Sequence, residues 1–321
     1  MADGGDGPAE GAPVARRAVL PAVRLAVVLV VLVVVVVVAG PPSEDDLLQQ
    51  AGMIGKRELL VGVRDDQPGV SVRDPRTGVF TGFDIDIAYL IASDLGFRPN
   101  EVRFLPIQAE DRQRMRARDP GSSAFVTVDL VLASYSITPA REAQGARFSA
   151  PYLRTEQSVV TRSGPEEVHA LADLKATRVC TLGTSTSADA LAQAGITNVT
   201  QQNESRACIT GLLADDYDAV TTDAAILAGF VHQYPTRLKH HDIGLDTEEA
   251  WGVNVGPNEA LRTLVNLSLY RSWNDPDDRR WEDAFDRNLR PAQPDSPGQD
   301  VAVDEQPAVA EPAVRHWPWQ R

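Results

Sequence analysis

Between residues 56 and 290, short apolar stretches rich in β-branched side chains alternate with stretches of helical periodicity. That alternation is the pattern of βα units and restricts the chain to α/β architectures with mainly parallel sheets. A first cluster opens with an apolar strand, Leu59–Val63, and continues with a helix from Asp84 whose apolar side chains Ile87, Leu90, Ile91 and Leu95 share one face until Gly96 stops it. Strands are predicted at Val102–Leu105 and Asp129–Ala133. A second cluster begins near Arg178: strand Val179–Thr181, helix Ser187–Gln193, strand Val199–Gln201, helix Ser205–Leu213, strand Ala219–Thr222 and helix Ala224–Val231. Strand Trp251–Val255 and helices over 258–273 and 280–289 follow. Two clusters of similar size imply two lobes with a cleft between them. Ligands of such folds sit outside the carboxyl ends of the strands, where loops meet helix N-termini.

The flanks differ from this body. Arg16, Arg17 and Arg24 precede the uninterrupted apolar run Leu25–Ala39, and Glu44, Asp45 and Asp46 follow it. A basic flank before an apolar run and an acidic flank after it place the body outside the membrane. A helix of that length spans about 22 Å against roughly 30 Å of hydrocarbon, so it is short for a crossing. Residues 25–42 are therefore expected to be an uncleaved anchor, the alternatives being a cleaved signal ending at Val37-Val38-Ala39 and a buried valine-rich strand or helix. No cysteine stands near the end of the run to carry a lipid. Residues 1–24 are expected to be disordered inside the cell and 43–55 to be a linker. Residues 291–321, proline-rich, acidic and without apolar periodicity, read as a disordered tail in which Trp317 and Trp319 have no evident role. With 45 acidic against 31 basic residues the net charge is -14, which repels phosphate backbones and argues against nucleic-acid binding. Two cysteines, Cys180 and Cys208, suggest one disulfide in an exported protein, the alternative being two buried thiols. No histidine stands at ligand spacing from either, so neither metal nor cofactor is expected.

Three loops at predicted strand ends hold suggestive polar groups. In Ser134-Tyr135-Ser136-Ile137-Thr138-Pro139-Ala140-Arg141, hydroxyls and backbone N–H groups suit a carboxylate, with Arg141 as a two-pronged partner. Gly183-Thr184-Ser185-Thr186-Ser187 gathers donors at a positive helix end. Asp223 ends an apolar strand and suits a ligand ammonium. Each loop also reads as an ordinary helix start with its cap.

In chain order these segments resemble the family 3 extracellular solute-binding proteins of ABC importers for polar amino acids. The resemblance rests on Leu59-Leu60-Val61-Gly62-Val63, Gly82-Phe83-Asp84-Ile85-Asp86-Ile87-Ala88, Ser136–Arg141, Phe148-Ser149-Ala150-Pro151-Tyr152, Gly183–Thr186 and Asp218–Asp223. Asp66-Gln67-Pro68-Gly69, the cysteine pair and Thr221–Gly229 are similar to the glutamate-binding branch of high-GC Gram-positive bacteria. The resemblance implies a periplasmic-binding-protein (type II) clamshell with a two-stranded hinge near 152–160 and 248–255. Lobe 1 would then be 56–155 with 252–290, and lobe 2 159–250. It implies that Arg141 clamps the α-carboxylate with Ser136 and the donors at Ser185 and Thr186, that Asp223 receives the ammonium, and that Ser134 completes the wall. Gln67 and Arg112 are candidates for the ligand side chain. Burying a zwitterion requires that both charges be matched, hence opposite charges on opposite lobes. One departure is a longer polar insertion at 114–126, which puts the side-chain pocket in question. His240-His241 reads as a solvated loop rather than a metal site, and the Asn-x-Ser/Thr triplets at Asn198, Asn203 and Asn266 as chance.

The expected function is extracytoplasmic binding of a polar or acidic amino acid, glutamate or glutamine above others, for an ABC permease. A tethered sensor reporting to a signalling membrane protein is the alternative. A dehydratase on the same fold would need a positioned acid/base in the cleft, where no histidine is expected.

Overall fold

The computed structural model describes residues 24–25, 40–244 and 248–315. The expectations for the N-terminal apolar run, for the segment before it and for Trp317 and Trp319 fall outside the described residues. Two compact units divide the chain: Asp45–Pro312, and Met1–Glu44 together with Ala313–Arg321. In the latter, Ser43 pairs in parallel with Arg315, whose N–H donates to the Pro42 carbonyl at 2.9 Å.

In the larger unit the strands are β1 (Leu59–Val63), β2 (Asp66–Gln67), β3 (Ser71–Arg73), β4 (Phe80–Thr81), β5 (Val102–Pro106), β6 (Arg116–Arg118), β7 (Phe125–Thr127), β8 (Leu130–Leu132), β9 (Phe148–Arg162), β10 (Val179–Leu182), β11 (Val199–Gln202), β12 (Ala219–Asp223), β13 (Leu238–His241) and β14 (Glu248–Asn254). After α1 (Glu44–Gln50) the helices are α2 (Phe83–Asp94), α3 (Pro139–Ala143), α4 (Thr186–Gln193), α5 (Ser205–Leu213), α6 (Ala224–Gln233), α7 (Glu259–Asn274) and α8 (Arg280–Asn288). The main sheet runs β11-β10-β12-β9-β14-β8-β1-β5, with β13 also on β9. Strand β1 lies parallel between β5 and β8 in one lobe, and β10 parallel between β11 and β12 in the other. The long strand β9 serves both lobes: residues 148–156 pair antiparallel with β14, and 157–161 with β12. This is a two-lobed α/β clamshell whose lobes are joined by the β9/β14 ribbon.

Local chemistry explains the elements that frame the cleft. Strand β1 is buried on both faces, as expected of a central parallel strand. Helix α2 starts at Gly82, where φ is +129° and a Cβ would meet the Val70 carbonyl at 2.3 Å, so only glycine lets the chain turn there. Phe83 at its first position meets Trp281 edge-on at 5.8 Å and lies 6.3 Å from Tyr152. Trp281, Ala284 and Phe285 form the buried stripe that docks α8 against α2.

The polar insertion takes a definite form, and two sequence expectations need correction. The insertion is a β6/β7 hairpin, with Ala117 buried beneath it and Arg116 and Arg118 exposed. His240 and His241 lie in β13 on an edge of β9 and are buried, not in a solvated loop. His240 bonds the Ser158 hydroxyl through Nε2 and the Ser296 hydroxyl through Nδ1, and burial pushes its pKa down to about 3. The tail 290–312 is an ordered strap rather than a disordered segment. Val301 is 1% exposed and Val309 is 3% exposed; Val303 N–H donates to the Arg154 carbonyl, and Thr155 Oγ1 to the Val301 carbonyl. Asp295 pairs with His232 of α6, and Gln306 Nε2 donates to the Leu269 carbonyl of α7. Extended strap residues carry no helical or alternating period, so scattered anchors hold them: the buried valines, the bonds to β9 and the side-chain contacts to α6 and α7. Ending the chain after Leu289 is expected to cost roughly 3 kcal/mol or more, from two buried valines at about 1.5–3 kcal/mol each. A urea midpoint equal to that of the full chain would show that the strap contributes nothing.

Candidate functional site

The loop after β8 is held by a buried carboxylate. Asp84 accepts from Tyr152 Oη at 2.8 Å and from the Ser134 N–H at 3.0 Å. Burial pushes its pKa up to about 7, outweighing the two donors that pull it down. Ser134 has φ of +44°, a conformation a serine rarely keeps without such restraint. Its hydroxyl donates to Gln67 Oε1 at 3.0 Å, and Gln67 Nε2 continues to the Ser205 hydroxyl of the other lobe at 3.2 Å.

Arg112 and Arg141 both lie against the Tyr135 ring, at 4.5 and 4.7 Å from its centre. Arg112 is buried, donates to the carbonyls of Ala109, Ala133 and Ser134, and has its pKa pushed down to about 9 by burial and by Arg141 and Arg64. Thr138 caps α3, accepting the Arg141 N–H, so the capping expectation for this loop holds. The Arg141 side chain turns away from that cap: Nη1 donates to the Ser136 carbonyl at 2.7 Å and Nη2 to the Thr184 carbonyl of the other lobe at 3.0 Å. Ser136 also bridges to Trp251 of β14.

From the second lobe, Ser185 caps α4: its hydroxyl accepts the Ala188 N–H and donates to the Leu182 carbonyl. Thr186 is the first residue of that helix. Asp223, at the end of β12, is 4% exposed and accepts from Trp251 Nε1 at 2.5 Å. Burial first and Glu249 second push its carboxyl up to about 7, while Trp251, Arg141 and Arg112 oppose them. Its side chain makes no cap to α6.

Ser134, Ser136, Arg141, Arg112, Gln67 and Asp223 are therefore joined by bonds or electrostatic reach, with the Thr184–Thr186 turn brought in through Arg141. Sequence reasoning passed over Tyr135, Ser205, Glu249 and the positioning role of Asp84. The local pattern around Asp84 marks only a helix start, and the tyrosine between Ser134 and Ser136 is the available signal for a guanidinium platform. Beneath the second-lobe loops, Cys180 of β10 and Cys208 of α5 form a disulfide, S–S 2.01 Å and Cα–Cα 5.5 Å. No metal-binding cluster occurs among the described residues.

Two lobes that present a cationic loop and a buried acid to each other, hinged on a strand pair, define a solute-binding clamshell. The chain belongs to the bacterial extracellular solute-binding proteins, family 3, whose profile matches residues 59–285. It is 27% identical over 227 residues to the glutamate-binding protein GluB of Corynebacterium efficiens, covering 67% of this chain and 74% of that one. It is 27% identical over 224 residues to the glutamine-binding protein GlnH of Bacillus subtilis, covering 68% and 77%. Among solved structures, the solute receptor for L-cysteine of Neisseria gonorrhoeae shares the fold with a TM-score of 0.66 at 24% identity, over 76% of this chain and 94% of that one. The family places the body of the chain outside the cytoplasm. Among the described residues no helix is long and apolar enough to cross a membrane.

Proposed function

We propose that the chain binds a polar or acidic amino acid, glutamate or glutamine, in the cleft and delivers it unchanged to an ABC permease. The observation that carries this reading is the opposition of Arg141 on one lobe to the buried Asp223 on the other, within electrostatic reach of each other. A zwitterion satisfies both groups at once, the carboxylate at Arg141 with Ser136, Ser185 and Thr186, the ammonium at Asp223. Arg112, charged and buried beside Arg141, leaves the site with cationic potential to spare, which suits an acidic side chain. Binding without chemistry accords with the named relatives, which are binding proteins. Residues 25–42 would tether the body to the outer face of the membrane. Calorimetric titration of the full-length protein in detergent with glutamate and glutamine tests the reading. Micromolar or tighter binding of either supports it, and no heat with any amino acid overturns it.

The same assignment predicts a pH dependence. Asp223 must release its proton to receive an ammonium, and its carboxyl is raised to about 7. Affinity is then expected to rise with pH, by up to about tenfold per pH unit below neutrality, and to level off above it. The dissociation constant for glutamate between pH 5.5 and 8, both about values that leave glutamate zwitterionic at its α-carbon, checks this. A flat profile would remove Asp223 from the ammonium site.

A further inference from the structure

The residues that follow β1 carry a set of contacts in which neither Arg141 nor Asp223 takes part. Arg64, 1% exposed, donates to Asp66 through Nε at 3.1 Å and Nη2 at 2.9 Å, and to the Ile107 carbonyl through Nη1. Its Nη2 also crosses to the second lobe, donating to the Asn203 carbonyl at 2.8 Å. The other Asp66 oxygen accepts the Arg206 N–H at 3.2 Å, so a first-lobe carboxylate sits on the first turn of α5 in the second lobe. Two residues further on, the Pro68 carbonyl packs on α6 where Gly229 has no side chain: a Cβ there would lie 1.9 Å from the Pro68 oxygen. A guanidinium bond to the Asn203 carbonyl, a helix end and a glycine notch thus join one short segment, Arg64–Pro68, to the opposite lobe, and the internal Arg64–Asp66 pair orients both of its charged groups for this.

We propose that this segment is a latch, and that Arg64, Asp66 and Gly229 are positioning residues that set ligand affinity without touching the ligand. The three contacts that cross between the lobes, Arg64 to the Asn203 carbonyl, the Arg206 N–H to Asp66 and Pro68 on Gly229, form only when the lobes are together, and each involves protein groups alone. The latch therefore stabilises the closed form by the same amount with or without ligand, and a ligand that binds the closed form gains apparent affinity in proportion to the closed population. Its effect on affinity rests on the amino-acid-binding reading; its existence does not.

Gly229→Ala separates the latch from general stability. Alanine is the better helix former, so α6 itself is not weakened, yet the added Cβ cannot coexist with the Pro68 carbonyl in the closed form. Asp66→Asn is the companion variant. It leaves the glycine notch intact and removes the carboxylate from the α5 end, and because it strands Arg64 it is the one more prone to misfold. In full-length protein without ligand, hydrogen–deuterium exchange at the Arg206 amide is expected to speed up at least tenfold in Gly229→Ala while the melting temperature holds. Glutamate affinity is expected to fall at least tenfold in the same variant, mainly through faster dissociation. Unchanged exchange at Arg206 would overturn the latch, and faster exchange with unchanged affinity would overturn its role in binding. If the wild-type protein bound no amino acid, the binding reading would fail while the exchange measurement still judged the latch.

Discussion

Arg141→Ala is expected to weaken glutamate binding by about two to four orders of magnitude, the equivalent of roughly 3–5 kcal/mol for a buried charge left unmatched. The guanidinium is already oriented: it rests on the Tyr135 ring, and its two terminal nitrogens point to Ser136 and to Thr184 across the cleft. Lysine at this position should also bind poorly, because an ammonium reproduces neither the fork nor the ring stacking. Asp223→Asn should lose a comparable amount, since the amide keeps the Trp251 contact in shape but cannot neutralise an ammonium. Trp251 donates directly to Asp223, so its fluorescence should change in that variant even without ligand. Calorimetry on both variants, with folding checked by circular dichroism, decides the matter. Native affinity in either would remove that residue from the site, and native affinity in both would overturn the assignment of function. If these side chains served only local structure, their loss would change stability and leave affinity alone.

Replacing Cys180 and Cys208 together by serine is expected to lower the stability of the second lobe by about 3 kcal/mol, from loop closure in the unfolded chain. The bridge encloses a sequence separation of 28 residues and ties α5 to β10. Both cysteines are buried, and the Cys208 sulfur faces the Thr181 carbonyl, which a serine hydroxyl can use as an acceptor, so the observed loss should lie close to the entropic figure. Chemical denaturation with and without a reductant measures it. A midpoint insensitive to reduction would show that the unfolded chain is not constrained in this way. Since α5 also receives Asp66 at its first turn, reduction should loosen the latch before it loosens the first lobe.

The regular elements were legible because their signals are local. Leu59–Val63 and Ser205–Leu213 occur where periodicity places them, and α6 extends the expected helix by a short C-terminal stretch to Gln233. The ends of β8 and β12 put the Ser134–Arg141 loop and Asp223 at the cleft for the same reason: in βα units the loops after the strands share one edge of the sheet. The disulfide, too, was readable from two cysteines in an exported chain.

What the sequence could not determine depends on partners distant in the chain. The strap over 290–312 lacks periodicity because an extended segment against a sheet edge needs only a few anchors, Val301, Val309 and the Val303 N–H among them. His240-His241 looks hydrophilic until Ser158, Ser296 and Thr161 arrive to satisfy the ring nitrogens in a buried strand. Gly229 is an unremarked helix residue until Pro68 approaches from the other lobe. Residue types and local period determined the elements, the two-lobe class and the loops that face the cleft. Tertiary structure alone decided which charges are buried, which helix ends are occupied and where backbones touch, because those depend on distances between segments that no local pattern encodes.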